Sequence, residues 1–479
     1  MLQKSTKIIT TVSDRRCGVD FIRSLFEAGM NVVRMNSAHL GEEGITSIVR
    51  NCREVSPRIG IMIDTKGPEI RTTTNEDPEG KLAFREGMLV QFSGNTTGRT
   101  SLRIINLNYP DIARDVRQGQ HILIDDGELD FEILSVDSDS GLIAARCLND
   151  GELGSRKSVN IPGSDIRLPA LTDRDRATLA VAARLGVDFV AHSFVRSADD
   201  IHAVQAELDA LGSDMKIIAK IENQQGVDNF DSILEASYGI MVARGDLGIE
   251  VPAARIPVIQ HEMISKCIAT HHPVIVATQM LHSMITNPRP TRAEISDIAS
   301  AVYQRADCLM LSGETANGRY PVEAVRTMAG VACEVERSLT ATTTADNIPQ
   351  LADAHVTSFL ARQAVVSERE IGTKAIIANA LHGRTARFIA SFRGSCPVYA
   401  ICYRRRTMRW LSISYGIKAY YYKDYYTCAQ RYPLDALRDF IDQGLLTPDD
   451  RIAVLGALNG TGATFLEINA VQAILDNAR

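Results

Sequence analysis

A single tryptophan occurs in 479 residues, and aromatic side chains make up only 6% of the chain. Long apolar runs are also missing. Nowhere do about 18 uninterrupted apolar residues occur, which argues against a membrane-spanning helix. The N-terminal MLQKSTKIITTVSDRR has an apolar run too short for a signal peptide or anchor. The nine cysteines never fall in a CxxC pair, which argues against a zinc ribbon or disulfide framework and for a reducing, cytoplasmic setting. A net charge of −6 leaves no broad basic field, so nucleic acid is not an expected partner.

What is present suits a large soluble enzyme. Hydrophobic content of 45% and charged content of 23% are ordinary for globular proteins, and the length calls for two or three domains. Eight short runs rich in Val, Ile and Met recur: Lys7–Val12, Asn31–Asn36, Gly60–Asp64, Val187–Phe194, Met215–Glu222, Gly239–Ala243, Pro273–Thr278 and Asp307–Leu311. Apolar runs without polar alternation suit parallel strands covered on both faces. The segments between them carry helix signals: Thr172 with Asp175 caps ATLAVAARL, Gly186 closes it, and Thr291 with Glu294 forms a capping box. The α/β pattern predicts a (β/α)8 TIM barrel over 1–67 and 167–340. About 120 residues separate the third and fourth strands, far more than a barrel loop needs. Segments 68–166, with LVQFSG, QHILIDDGELDFEILSV and GLIAARCL, read as an inserted small β-barrel lid domain. Past the Thr-rich LTATTTADN, TKAIIANA, CPVYAICY, GIKAYYY and RIAVLGAL predict a C-terminal three-layer α/β domain over 341–479.

Polar residues collect where the strands end. Arg34 and Asn36 end strand two, Asp64 and Lys66 strand three, Lys220 and Glu222 strand five; Asp246 follows strand six, Thr278 ends strand seven, and Ser312 and Glu314 follow strand eight. Barrel enzymes build their sites at this rim. Glu222 and Asp246 are hard oxygen donors suited to Mg²⁺ (or Mn²⁺), Arg34 and Arg71 match phosphate geometry, and Lys220 is a point charge for a moving phosphoryl group. The Ala243–Asp246 turn could offer backbone N–H groups to a carboxylate. Blander readings make Lys220 and Glu222 a structural ion pair, His39 a loop histidine, and the Arg404–Arg406 run a solvated helix face.

At these residues the sequence resembles the pyruvate kinase family. The resemblance is carried by IDTKGPEIRT (63–72), IIAKIENQQGVDNFDSILEAS (217–237), GIMVARGDLGIEVP (239–252), VIVATQMLHSMITNPRPTRAEISDIASAV (274–302) and LMLSGETANGRYPVEAV (309–325). It implies a cytoplasmic homotetramer that transfers the phosphoryl group of phosphoenolpyruvate to ADP, giving ATP. Lys220, Thr278 and Arg34 would be catalytic, and Gly245, Asp246, Thr278 and Ser193 would hold substrate. Arg71, Lys157 and His39 would meet the nucleotide, Glu222 and Asp246 the Mg²⁺, and Asn36, Asp64 and Thr65 a K⁺ ion. Glu69 matches potassium-dependent members. Three departures stand out: Val12-Ser13-Asp14 replaces Ile-Gly-Pro, Ala38 replaces a potassium-ligating serine, and the effector loop reads Ala380-Leu381-His382-Gly383-Arg384-Thr385. Of that loop, Gly383, Arg384 and Thr385 suit phosphate. The alternatives are a non-catalytic phosphoenolpyruvate-binding paralogue and a metal-dependent pyruvate lyase or aldolase of the same barrel.

Overall fold

A computed structural model describes residues 4–342, 355–423, 433–456 and 463–477. Cys428 and most of the Thr-rich segment therefore lie outside the described residues, although the helix Pro321–Thr342 runs into that segment's start. None of the eight described cysteines forms a disulfide among the described residues. No helix among the described residues is long and apolar enough to cross a membrane.

All eight expected barrel strands form, and they close into one parallel barrel. In chain order they are Lys7–Thr11, Val32–Asn36, Gly60–Asp64, Phe189–His192, Lys216–Ile221, Gly239–Ala243, Val274–Ala277 and Cys308–Leu311. Apolar runs become such strands because both faces are covered. One cluster packs strands against the outer helices, and a second, including Ile9, Met62, Phe189, Met241 and Met310, fills the interior. The fourth strand stops earlier than its sequence suggests, because Phe194 turns to φ 56° and leaves the pleat. Both capping boxes are present: Thr172 with Asp175 opens the helix Asp173–Arg184, and Thr291 with Glu294 opens Arg292–Tyr303. Gly186, at φ 67°, ends the first of these.

The insertion holds a six-stranded sheet with a two-stranded ribbon, Leu82–Phe84 paired to Gly151–Leu153. Isolated bridges tie Arg71 to Ser158 beside one edge of the sheet and Thr72 to Leu107 beside the other. The Arg71–Thr72 segment thereby closes the sheet on itself, around Phe131 with Phe84 and Phe92 edge-on at 5.5 and 5.3 Å.

The C-terminal domain is a five-stranded sheet with helices on both faces and a separate apolar cluster under each. Four strands match the sequence reading. The fifth, Phe465–Ala470, runs antiparallel at the edge, and its alternating Glu467 and Asn469 hid it from a search for unbroken apolar runs. This domain seals the N-terminal mouth of the barrel. Trp410 and Ile413 belong to the barrel's interior cluster, and the Lys216 ammonium sits 4.2 Å over the Trp410 ring. Around the seal, Arg393 grips buried Asp307 in a bidentate pair at 2.6 and 3.1 Å, and Arg409 meets Asp188 at 2.6 Å. Of the Arg404–Arg406 run, Arg404 and Arg405 are exposed, but Arg406 pairs with Asp214 of the barrel.

Candidate active site

The opposite, C-terminal mouth gathers the expected polar groups. Parallel register sets Arg34 beside Thr11 and Asn36 beside Asp64, and Lys220 stands in the strand next to the one that leads to Asp246. Lys220 is buried, with its ammonium 2.8 Å from Glu222 Oε1, 2.8 Å from Ser193 Oγ and 3.4 Å from Asp64 Oδ2. Arg34 donates to the same Asp64 carboxylate and to Thr11 Oγ1 at 3.4 Å. Burial alone would lower the Lys220 pKa, but Asp64 and Glu222 together hold it above its ordinary value. Burial likewise works against the Asp64 charge, yet Arg34 and Lys220 keep that carboxyl below its usual range. For Glu222, burial prevails: aided by Asp246 and opposed by Lys220, it pushes the carboxyl upward.

Backbone strain surrounds these groups. Phe194 and Thr278 both sit at positive φ, 56° and 68°, where bulky or β-branched residues cost about 1–3 kcal/mol. Each is held by the site. Phe194 N–H donates to Glu222 Oε2 at 2.7 Å, and Gly245 N–H donates to Thr278 Oγ1 at 2.7 Å. The Gly245 N–H, in the turn expected to offer backbone N–H groups to a carboxylate, thus donates to Thr278 Oγ1 in this structure. Arg244, clamped to Asp297 at 2.6 and 2.8 Å, fixes Thr278 further by donating to its carbonyl at 2.8 Å. Gly67, at φ 70°, has no room for a side chain. An added Cβ would lie 2.9 Å from Phe194 Cδ2 and 3.0 Å from Ser193 Cβ.

Two cation sets can be tested against the geometry. Asp246 is half-buried, and its carboxylate makes no hydrogen bond or ion pair among the described residues. Among them, no cluster of three or more His, Cys, Asp or Glu side chains could hold a metal alone. Two carboxylates plus substrate oxygens suffice for Mg²⁺, so Glu222 and Asp246 fit it. On the other side, Asp64 Oδ1 and Ser37 Oγ are buried oxygens with no partner, as a small cation would require. Asn36 Oδ1, however, accepts from Ala38 N–H at 3.1 Å, and the Thr65 carbonyl accepts from Ser193 Oγ at 2.7 Å.

The lid supplies the rest. Arg71 is locked to Glu69 at 2.7 Å, and Lys157 reaches Asp125 at 2.5 Å. A cavity of about 270 Å³ between lid and barrel is lined by Asp246, Phe194 and Arg196 on one side and by Ser158 and Asn160 on the other. His39 is exposed on the turn after the second strand, apart from these lid residues' contacts. Glu314, also at the rim, is structural: it is buried and accepts from Leu281 and Ser312 N–H at 3.1 and 2.7 Å. Sequence reasoning missed the Arg244–Asp297 clamp and His192, whose Nδ1 lies 3.1 Å from Thr65 Oγ1. His192 was hidden inside an apolar strand, and Asp297 within an unremarkable helix 53 residues from its partner.

Comparison with known proteins decides which barrel this is. The description "Pyruvate kinase, barrel domain" matches residues 3–325, and "Pyruvate kinase, alpha/beta domain" matches 359–466. The chain belongs to the pyruvate kinase family. It is 40% identical to a pyruvate kinase of Borreliella burgdorferi over 98% of both chains. It is also 40% identical to a pyruvate kinase of Geobacillus stearothermophilus, over 87% of this chain and 71% of that one. A crystal structure of a pyruvate kinase from Cryptosporidium parvum superposes with a TM-score of 0.90 at 33% identity, covering 98% and 96% of the two chains. Pyruvate kinases are phosphotransferases, and the sealed barrel with its polar C-terminal rim accords with that class.

Proposed function

We propose that this enzyme transfers the phosphoryl group of phosphoenolpyruvate to ADP, giving pyruvate and ATP, in the cleft between the barrel rim (1–67 and 167–340) and the lid (68–166). The observation that carries the reading is the Lys220 ammonium, buried among Asp64, Glu222 and Ser193 with Arg34 alongside and the Asp246 carboxylate free next to it. Such an array offers two fixed positive charges at one point and two metal-binding oxygens beside it. Phosphoryl transfer needs little else from a protein.

Arg34 and Lys220 neutralise charge on the transferring group, and Arg71 and Lys157 bring the nucleotide phosphates from the lid. Glu222 and Asp246 would hold Mg²⁺ or Mn²⁺, which supplies charge stabilisation to the phosphoryl and enolate oxygens when bound. Asn36, Asp64 and Thr65 would hold K⁺, with the buried Ser37 and Asp64 oxygens as the supporting feature. As phosphorus leaves, Lys220 stabilises the enolate oxygen, and the strained Thr278 sits where the carbon is protonated. Ser193 positions Lys220 through its 2.8 Å hydrogen bond. A role in glycolysis, a cytoplasmic location and a homotetramer complete the reading. A lactate dehydrogenase-coupled assay tests it: pyruvate should appear only when phosphoenolpyruvate and ADP are both present. Pyruvate released without ADP would turn the reading towards a lyase, and none under any condition towards a binding paralogue.

A further inference from the structure

Behind the buried lysine, His192 ends the fourth barrel strand, Phe189–His192. Side chains alternate along a strand. Ala191 belongs to the barrel's interior cluster and Val190 to the cluster under the outer helices, so His192 faces outward with Val190, where an apolar residue is expected. The imidazole is 1% exposed. Burial pushes its pKa down to about 4, against Asp200 and Asp175, which act to raise it, so the ring is neutral. Its Nδ1 lies 3.1 Å from Thr65 Oγ1. That hydroxyl also accepts the Ser193 N–H at 3.0 Å and has no third partner among the described residues. Its single proton therefore goes to Nδ1, which leaves the imidazole proton on Nε2.

Nε2 is buried without a partner. Both acids that face the ring are committed elsewhere. Asp175 accepts the Lys66 N–H at 2.8 Å and caps the helix Asp173–Arg184 with Thr172, while Arg196 grips Asp200 at 2.8 and 3.1 Å. An unpaired buried donor weakens a fold, and an aliphatic side chain here would avoid it. The one bond that the imidazole does make goes to Thr65, and Thr65 joins the third strand to the fourth. Its N–H donates to the Ala191 carbonyl at 2.9 Å, and its own carbonyl accepts from Ser193 Oγ at 2.7 Å. The same Ser193 oxygen accepts from the Lys220 ammonium at 2.8 Å. A line of hydrogen bonds thus runs from His192 through Thr65 and Ser193 to Lys220. Without an acceptor at Nδ1, the Thr65 hydroxyl is free to turn, and the Ser193 N–H loses its partner.

We propose that His192 is a positioning residue for phosphoryl transfer: by accepting the Thr65 hydroxyl it fixes the Thr65–Ser193 link that aims the Lys220 ammonium into the cleft. The inference rests on the role given to Lys220 above. His192 itself touches neither the cleft nor the reacting groups, and it acts through Thr65 and Ser193 alone.

Steady-state kinetics and urea unfolding of His192→Leu and His192→Asn test it. Leucine removes the acceptor but exchanges one unpaired donor, Nε2–H, for another, the Thr65 hydroxyl, so the urea midpoint should stay near that of the wild type. Its kcat should nevertheless fall about tenfold, with KM for phosphoenolpyruvate within about twofold, as expected when a charge is misplaced for the transition state. Asparagine places an amide oxygen where Nδ1 was and leaves a void, so it should lose stability yet keep kcat within about twofold of wild type. A merely structural histidine would not give that crossing of stability and turnover. Should the leucine variant not fold, His192→Gln, whose amide reaches the Nε2 position instead, must show the same loss of kcat. In a double-mutant cycle, adding His192→Leu to Thr65→Val should lower kcat no further. Turnover of His192→Leu close to wild type, equal losses in the leucine and asparagine variants, or additivity with Thr65→Val would overturn the positioning role while leaving the kinase reading intact. A wild type that makes no pyruvate from phosphoenolpyruvate and ADP would overturn both.

Discussion

Lys220 keeps its charge inside the barrel because three oxygens surround it, and the same oxygens aim it at the cleft. Its value should therefore appear in the transition state rather than in binding. Lys220→Met is expected to lower kcat by about 10²–10³, the usual effect of one preorganised electrostatic group, with the Mg²⁺ requirement largely kept. Steady-state kinetics in the coupled assay measures this, and activity within about threefold of wild type would contradict it. A second residue-scale expectation concerns His272, which faces Thr270, His271 and Arg387. Its pKa of about 4 lies below the ordinary imidazole value of 6.5, so the unfolded chain binds its proton first as pH falls. The stability that it contributes is complete above about pH 6.5 and declines towards about pH 4. Between pH 6.5 and 5 the loss from this one group is up to about 2 kcal/mol. Urea unfolding at pH 7 and pH 5 should show a smaller difference for His272→Gln than for the wild type.

Among elements, the turn after the second strand carries Ala38 where the family resemblance implies a potassium-ligating serine. Ala38 donates its N–H to Asn36 Oδ1, and Ser37 leaves a buried hydroxyl unpartnered beside it. A cation at Asp64 would lack the oxygen that a serine at 38 would add. Potassium titrations at saturating substrates and Mg²⁺, with ionic strength fixed, should give a lower half-saturating concentration for Ala38→Ser than for wild type. Identical curves would mean that position 38 does not face the ion. The strands that build this rim were legible because buried parallel strands are unbroken apolar runs, and a charged residue at such a run's end is conspicuous. That logic found Arg34, Asp64, Lys220 and Glu222. It could not find Asp297, whose partner Arg244 is joined to it by the fold alone, nor the commitment of the Gly245 N–H to Thr278. It also missed the edge strand Phe465–Ala470, where solvent on one side restores polar alternation.

At the scale of the whole molecule, the C-terminal domain is fastened to the barrel by buried charge as well as by apolar contact. Arg393 and Asp307 are each about 3% exposed at the side chain, and Asp307 also accepts from Tyr415 N–H at 2.8 Å. Removing one partner strands the other, so Arg393→Met should destabilise the enzyme by about 3–5 kcal/mol, whereas Arg393→Met/Asp307→Asn should cost less than the sum of the single changes. Urea denaturation of the single variants and the pair measures both. The stopper in the barrel's closed end has a practical consequence. Because Trp410 is the chain's single tryptophan and sits 7% exposed at that end, its emission works as a gauge of whether the two bodies are still joined. Loosening the seam with Arg393→Met should shift the emission to the red at lower urea than the loss of helical circular dichroism. If both signals always moved together, the barrel and its stopper would be one cooperative unit that can come apart only by unfolding.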